Sequence, residues 1–328
     1  MEKFLSVSVA SYNLGSMIEE NIKSFCESSV ANDIELIITD DGSKDNTPEI
    51  IQKYAAQFPD VIKFIKKGNE GPGSTVNSGI KNATGKYFRM VDGDDWVQTE
   101  NMESYINLLK NTTADMIISD YATYDNQKGE IVGIQRANLI PGKLYNIDEI
   151  YKKIPLYMHA LTFKTEILKA NQILLDNCFY TDVEYNLFPM PFVHSVCYFD
   201  KTVYVYRVAQ AGQSVNPNSM KRNFAQHDLV LSHLIDWYSK LTNLSVGQDF
   251  IISKRIAGMA STQLWVLMIF DTNKENKQRI KNFFKFIKAT NKKLYSIFKR
   301  NKKCIILRFS GFALYGILSK YCKRRAGL

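Results

Sequence analysis

The sequence predicts an α/β protein, a mostly parallel central sheet flanked by helices, followed by a helical C-terminal region. Three observations predict it. Short apolar runs alternate with helical patterns through the first 120 residues, which argues for parallel strands joined by right-handed crossovers. A polar or glycine-rich cluster follows each of the first four runs, the place where such sheets bind ligands. From His227 to Phe270 the pattern is helical and strongly apolar.

Leu5–Ala10 alternates apolar residues with serines and breaks at Ser11-Tyr12-Asn13, as a first strand would. Met17, Ile18, Ile22 and Phe25 then fall near one helical face. Ile34–Thr39 is the second strand, ending at Asp40-Asp41-Gly42-Ser43. Thr47-Pro48 reads as an N-cap with proline at the first helical position. Val61–Ile65 is the third strand, followed by a Gly- and Asn-rich loop. A helix from about Ser74 to Ala83 comes next, with Gly85 just past its end. Tyr87–Val91 and Asp115–Ser119 are the fourth and fifth strands. Beyond Pro141 helical patterns lie near Ile147–Ile154 and Lys164–Ala170, and strand-like runs at Ser195–Phe199 and Thr202–Arg207.

Composition narrows the classes. The chain has 328 residues and five scattered cysteines without a C-x-x-C pair. A disulfide framework or zinc site is not indicated, and a reducing compartment is. The N-terminal MEKFLSVSVASYN reads as a strand, not a signal peptide. No run reaches the roughly 18 apolar residues of a membrane span. Between Lys274 and Arg325 there are 17 Lys or Arg and one acid, Glu275, a charge of +16. The other 25 bases and 32 acids leave the body at −7. The tail therefore has its own job or its own partner.

The chemistry concentrates at Met90–Val97, MVDGDDWV, where Asp92, Asp94 and Asp95 fall within four residues at a strand end. Like charges this close repel. A divalent cation between them removes the conflict, and oxygen ligands suit Mg²⁺ or Mn²⁺, which also grip substrate phosphates. A lone D-x-D is equally a solvated turn with a helix cap. No P-loop and no G-x-G-x-x-G follows the first strand, so a metal is the main candidate for neutralising phosphate charge.

Val7–Asn13, Ile37–Ser43, Asn69-Glu70-Gly71, Asn77-Ser78-Gly79-Ile80, Ala83–Tyr87 and Asp92–Trp96 occur together and in order. In this series the chain resembles the inverting family-two glycosyltransferases with the GT-A fold. The resemblance is close over about residues 4–125 and looser to about 216. It implies a catalytic domain over 1–216, with a nucleotide-sugar half (1–125) and an acceptor half (126–216). The helical region is then 217–328, its basic tail starting near 274. It implies a nucleotide-sugar site of Ala10, Tyr12, Asn13, Asp41, Asn69, Asn77, Asp92, Gly93 and Asp94. Within it Tyr12 would stack on the base, Asp41 would bond the uracil, and Asp94 with Asp92 would hold Mn²⁺ or Mg²⁺. Gly79 reads as close helix–sheet packing.

Inverting transfer needs a base for the acceptor hydroxyl. The candidate is Asp182, in Phe179-Tyr180-Thr181-Asp182-Val183-Glu184-Tyr185. The other reading of Asp182 is a first-turn helix acid favoured by the macrodipole. Two positions depart from the family pattern: Thr181 stands where a Glu commonly precedes the base, and Val76 where an Arg is frequent. Asp95, Trp96, His159, Arg207 and Ser214 are expected as acceptor or loop contacts, with Arg207 and Ser214 either in a segment that, by the resemblance, folds over the diphosphate or equally at a structural strand end. The other three histidines read as structural.

Two readings of the whole follow. One is a metal-dependent transferase moving a hexose or N-acetylhexosamine from a UDP-sugar to a glycan. The other is an inactive nucleotide- or glycan-binding subunit. In the tail Ile280, Phe283, Phe284, Ile287 and Leu294 recur among lysines. This predicts either a basic amphipathic helix on an anionic membrane or helices packed on the protein or in a homo-oligomer. A nucleic-acid partner is not expected, since no binding module is recognisable. The expected place is the cytoplasm or the inner face of the plasma membrane.

Overall fold

The computed structural model describes residues 2–209 and 216–327. The chain forms two compact units, Met1–Ala211 and Gly212–Leu328.

The first unit opens with β1 (Leu5–Ser11), α1 (Met17–Cys26), β2 (Ile34–Asp40), α2 (Thr47–Gln57), β3 (Ile62–Lys66), α3 (Pro72–Asn82) and β4 (Tyr87–Asp92). It continues with β5 (Trp96–Val97), α4 (Thr99–Asn111), β6 (Met116–Asp125), β7 (Glu130–Gln135), β8 (Leu144–Asn146) and α5 (Ile147–Ile150). β9 (Leu161–Lys164), α6 (Thr165–Ala170), α7 (Thr181–Leu187) and β10 (Ser195–Val208) complete it. The sheet runs β3-β2-β1-β4-β9-β6-β10-β5, with β7 on β6 and β8 on β10.

β1 is parallel to β2 and β4, and β2 to β3, so their carboxyl ends share one edge. The expectation of a mostly parallel sheet holds for these strands and for β6 with β10. The remaining pairs are antiparallel. Short connections such as residues 126–129 between β6 and β7 permit only that pairing. β6 runs past the expected Ser119, and the two runs after Ser195 are one strand with a register shift near Thr202. Proline follows one residue inside α2, as read, but the N-cap is Asn46. The Thr47 hydroxyl instead accepts from the Leu14 and Gly15 amides.

β1 is buried on both faces, so its serines are enclosed as well as its apolar residues. Ser6 donates to Glu35 at 2.7 Å and accepts from the Gly85 amide at 2.8 Å. Ser8 lies under α3. A Cβ on Gly79 would meet Ser8 Oγ at 2.1 Å and Ser8 Cβ at 2.4 Å, so helix and sheet approach this closely only because residue 79 is glycine.

The second unit contains α8 (Pro217–Arg222), α9 (Phe224–Lys240), α10 (Val246–Ile269), α11 (Lys274–Thr290), α12 (Lys292–Phe298), α13 (Lys302–Phe309) and α14 (Tyr315–Arg325). α10 is apolar around most of its circumference and buried, and it starts in a capping box between Ser245 and Gln248. Ile280, Phe283, Phe284, Ile287 and Leu294 all face the interior. For these residues the packed-helix reading is the observed one. No helix among the described residues is long and apolar enough to cross a membrane.

Gly79→Ala should lower stability by about 1–3 kcal/mol through overpacking, less part of the roughly 1 kcal/mol that alanine gains in a helix. Gly68→Ala, with nothing within 4 Å of its added Cβ, should change stability by less than about 0.5 kcal/mol. Urea unfolding of both variants checks this, and equal midpoints would contradict the packing argument.

Candidate active site

β4 ends at Asp92, and the chain turns through Gly93 and Asp94 to Asp95 before β5. Oxygens of the three carboxylates lie within 4.8 Å of one another. The turn is tight because Gly93 has no side chain: a Cβ there would meet the Ala10 carbonyl at 2.6 Å and Leu14 at 2.4 Å. The Gly93 amide donates to that same carbonyl at 3.2 Å. From α1, the Asn21 amide donates to the carbonyls of Asp95 at 2.8 Å and Asp92 at 3.2 Å.

The three carboxylates differ in what holds them. Asp95 is buried, and both its oxygens are taken, by the Tyr204 hydroxyl at 2.5 Å and the Arg207 amide at 2.7 Å, both from β10. It ties the β4–β5 turn to β10. Arg207 is likewise committed to the carboxylate loop. Its Nε donates to the Asp94 carbonyl at 2.9 Å, Nη1 donates to Asn126 at 3.0 Å, and Nη2 pairs with Glu20. Its guanidinium also lies 4.6 Å from the Trp96 ring centroid, and Trp96 packs edge-on against Tyr124. Ser214 lies outside the described residues.

Electrostatics follow from this geometry. Burial first, then the Asp94 and Asp182 carboxylates, push Asp92 from its ordinary 3.8 up to about 7. Burial also raises Asp94, while Arg207 pulls it back. Burial, then Asp92 and Asp94, raise Asp95 well above the carboxylate range. The remaining pair with oxygens to offer is Asp92 and Asp94. An all-oxygen carboxylate set fits a hard divalent cation.

The nucleotide-side residues gather on the same edge. Tyr12, at the end of β1, is 47% exposed, so its ring face is available. Asn13 adopts φ 52°; its side chain accepts from the Lys44 amide at 2.7 Å and its amide donates to Ser43 at 2.9 Å. Asp41, past β2, accepts from the Glu70 and Gly71 amides, both at 2.9 Å, and pairs with Lys67. A carboxylate has about four lone-pair sites, so one remains for a ligand N–H. Asn69 is exposed in that loop. Asn77 differs from expectation: both ends of its amide bond the Leu175 backbone, at 2.8 and 2.9 Å, which makes it a tie between segments. Val76 is fully buried, so its face of α3 is core.

The same loop braces the Asp182 side. A Cβ on Gly71 would sit 2.5 Å from the Asn177 carbonyl, and one on Gly73 would sit 1.8 Å from that of Asp176 and 2.9 Å from Thr181 Cγ2. Thr181 is buried there. Tyr180 just ahead of α7 has φ 72°, a left-handed conformation uncommon outside glycine and enriched at functional sites. Asp182 follows in the first turn, close enough to raise the Asp92, Tyr180 and Tyr206 pKa values. Glu184 points inward and accepts from the Asp176 amide at 2.7 Å; burial pushes it up to about 8.

Several residues here had no sequence motif. Lys67, Asn21 and Glu20 are polar residues on ordinary elements. Tyr204 and Tyr206 had a usable signal, since i and i+2 on a strand share one face. Tyr206 stacks with His159 at 4.3 Å, and His159 with Tyr121 at 5.2 Å; the exposed Tyr157 lies 6.0 Å beyond Tyr121. Burial, then the nearby Arg89, lower His159 to about 3.

Residues 6–170 match the model of glycosyl transferase family 2. The chain belongs to glycosyl transferase family 2. Among relatives of this family-two protein, Glycosyltransferase GlyG of Streptococcus pneumoniae is 33% identical over 129 residues, 39% of this chain and 42% of GlyG. Uncharacterized glycosyltransferase EpsJ of Bacillus subtilis is 27% identical over 227 residues, 67% of this chain and 63% of EpsJ. The chain thus spans less than two thirds of the length of either relative. The solved structure of S. aureus TarS 1–349 has the same GT-A-type fold, with TM-score 0.68 at 19% identity, covering 99% of this chain and 92% of that one. Structures of the same TarS segment also exist in complex with UDP and with UDP-GlcNAc.

Without divalent cation, the raised Asp92 makes stability pH-dependent. The folded state holds this proton more tightly than the unfolded chain. The resulting stabilisation is full below the ordinary 3.8 and is lost as pH rises to about 7. Asp92→Asn should therefore gain stability relative to wild type across that window, as read by thermal unfolding in chelator. A difference that stays constant with pH would contradict the cluster electrostatics.

Proposed function

We propose that this family-two protein is a metal-dependent inverting glycosyltransferase. It moves a hexose or N-acetylhexosamine from a UDP-sugar to a carbohydrate acceptor: a surface polysaccharide, a lipid-linked precursor or a protein glycan. The observation that carries the reading is the carboxylate cluster of Asp92, Asp94 and Asp95 at the end of β4, with the candidate base Asp182 close enough to raise the Asp92 pKa. The UDP and UDP-GlcNAc complexes of the TarS neighbour support the donor class. In this reading residues 1–125 hold the donor and 126–216 face the acceptor.

Tyr12 stacks on the base, and Asp41 offers its remaining lone pair to the uracil N–H. Asn13, Asn69 and the Ala10–Gly93 backbone line the nucleotide. Asp94 and Asp92 are the residues that would hold Mn²⁺ or Mg²⁺. When bound, the ion supplies positive charge against the diphosphate leaving group. Asp182 takes the proton of the acceptor hydroxyl. The freed oxygen bonds the anomeric carbon from the face opposite the diphosphate, the carbon–diphosphate bond breaks, and UDP leaves with the electron pair. His159 is a poor alternative base, because a pKa of about 3 is far below working pH. Its stack with Tyr206 and Tyr121 instead lines the acceptor side with aromatic faces, a common feature of ligand sites. The basic region after residue 274 gives the enzyme a place at an anionic membrane face.

UDP should bind more tightly with Mn²⁺ than in chelator, and Asp94→Asn should remove the difference without unfolding the protein. Asp182→Asn should leave UDP binding intact and slow transfer by ~10²–10⁴-fold. Calorimetry with UDP and a nucleotide-sugar turnover assay read the two effects. Metal-independent UDP affinity would sink the cation assignment; near-normal turnover in the Asp182 variant would sink the base.

A further inference from the structure

The basic region from Lys274 divides into two parts that behave differently. α11 and α12 bury most of their large apolar residues, with Phe286 the exposed exception at 39%. α13 and α14 do not. α14 is pinned by its inner face: Ser319 donates to the Met268 carbonyl at 2.7 Å, and the Tyr315 hydroxyl accepts from Asn276 at 3.0 Å. Tyr315, Leu318 and Cys322 are buried beside them.

The opposite face carries Leu314, Ile317 and Tyr321, spaced i, i+3, i+7, exposed by 42%, 71% and 53%. Ile305 and Phe309 share an exposed face of α13 at i, i+4, and Phe309 is 87% exposed. Single exposed apolar residues are ordinary, but Ile305, Phe309, Leu314, Ile317 and Tyr321 all fall within 17 consecutive positions (305–321), a concentration that calls for a partner. Lys302, Arg308, Lys320, Arg324 and Arg325 are exposed on these same two helices, and no acid occurs after Glu275.

We infer that the α13–α14 pair is a membrane-docking element. Phe309 and Ile317 enter the acyl boundary of an anionic bilayer while the surrounding Lys and Arg meet its headgroups. Charge selects this occupant. A second copy of the chain would set like charges against one another, whereas an anionic lipid surface complements both the cations and the apolar side chains. α14 has only 11 residues, so the element lies in the interface rather than spanning it. The inference deepens the membrane placement and stands apart from the sugar-transfer chemistry.

The test is flotation of the full chain with vesicles of phosphatidylcholine and 30% phosphatidylglycerol, against pure phosphatidylcholine. Wild type should float only with the anionic vesicles and release partly at 0.5 M salt. Phe309→Ser/Ile317→Ser should bind at least tenfold more weakly at low salt, with unchanged circular dichroism and melting temperature. A second variant, Arg324→Gln/Arg325→Gln, should bind more weakly at low salt, show a smaller salt dependence and keep the fold. Wild type that stays at the bottom of the gradient overturns the inference. So does a serine variant that floats like wild type, an oligomer that dissociates on the serine substitutions, or tight binding to a single-stranded RNA with no flotation. Wild type that transfers sugar yet does not float counts against this inference alone; wild type that floats yet transfers no sugar counts against the catalytic reading alone.

Discussion

Three aspartates share the end of one strand, and the first unit is built to keep them there. Two unit charges within 4.8 Å of one another repel by at least about 3 kcal/mol at an effective dielectric near 20. The protein meets that cost with fixed dipoles and one cation. β10 supplies the Tyr204 hydroxyl and the Arg207 amide to Asp95. α1 supplies Asn21 to the loop carbonyls, and the Arg207 guanidinium lowers Asp94. At Asp92 burial, then its two acidic neighbours, push the pKa up to about 7. Burial leaves all three carboxylates of the cluster raised.

The two sides of the site are mechanically joined. Asp41 fixes the amides of Glu70 and Gly71. Gly71 and Gly73 admit the backbone of Asp176 and Asn177 at a distance that any Cβ would forbid. Asp176 in turn donates to Glu184, on the helix that carries Asp182. A single run of contacts thus connects the proposed uracil contact to the proposed base. In the proposed reaction this sets the distance between donor and acceptor groups, a geometric contribution that can be large.

The sequence made the first half of this legible. Repeated strand ends with polar clusters put Tyr12, Asp41 and Asp92 on one edge, because parallel strands align their carboxyl ends by construction. Ordered motifs then carried the resemblance that gives Asp94 its expected role as a metal ligand. What could not be read was pairing across long separations. Nothing local says that Asp95 is held by residues 204 and 207, or that Asn77 is spent on Leu175. The antiparallel β9 inserted between β4 and β6 was equally hidden, since four residues carry little periodicity. The tail failed in an instructive way. Helical periodicity marked Ile280, Phe283, Phe284 and Ile287 as one apolar face of α11, whereas Leu294 falls on the separate α12; periodicity cannot tell whether such a face meets protein or lipid. The structure buries it and leaves α13 and α14 with the exposed apolar residues.

The central claim is that Asp92 and Asp94 tolerate one another because a divalent cation joins them to a nucleoside diphosphate. Crystals grown with UDP and Mn²⁺, with anomalous diffraction data collected at the manganese edge, address it directly. The account predicts one anomalous peak within bonding distance of an Asp94 carboxylate oxygen and of the diphosphate, with the base on Tyr12. UDP bound in that place with no manganese at these aspartates, or manganese held elsewhere, would contradict it.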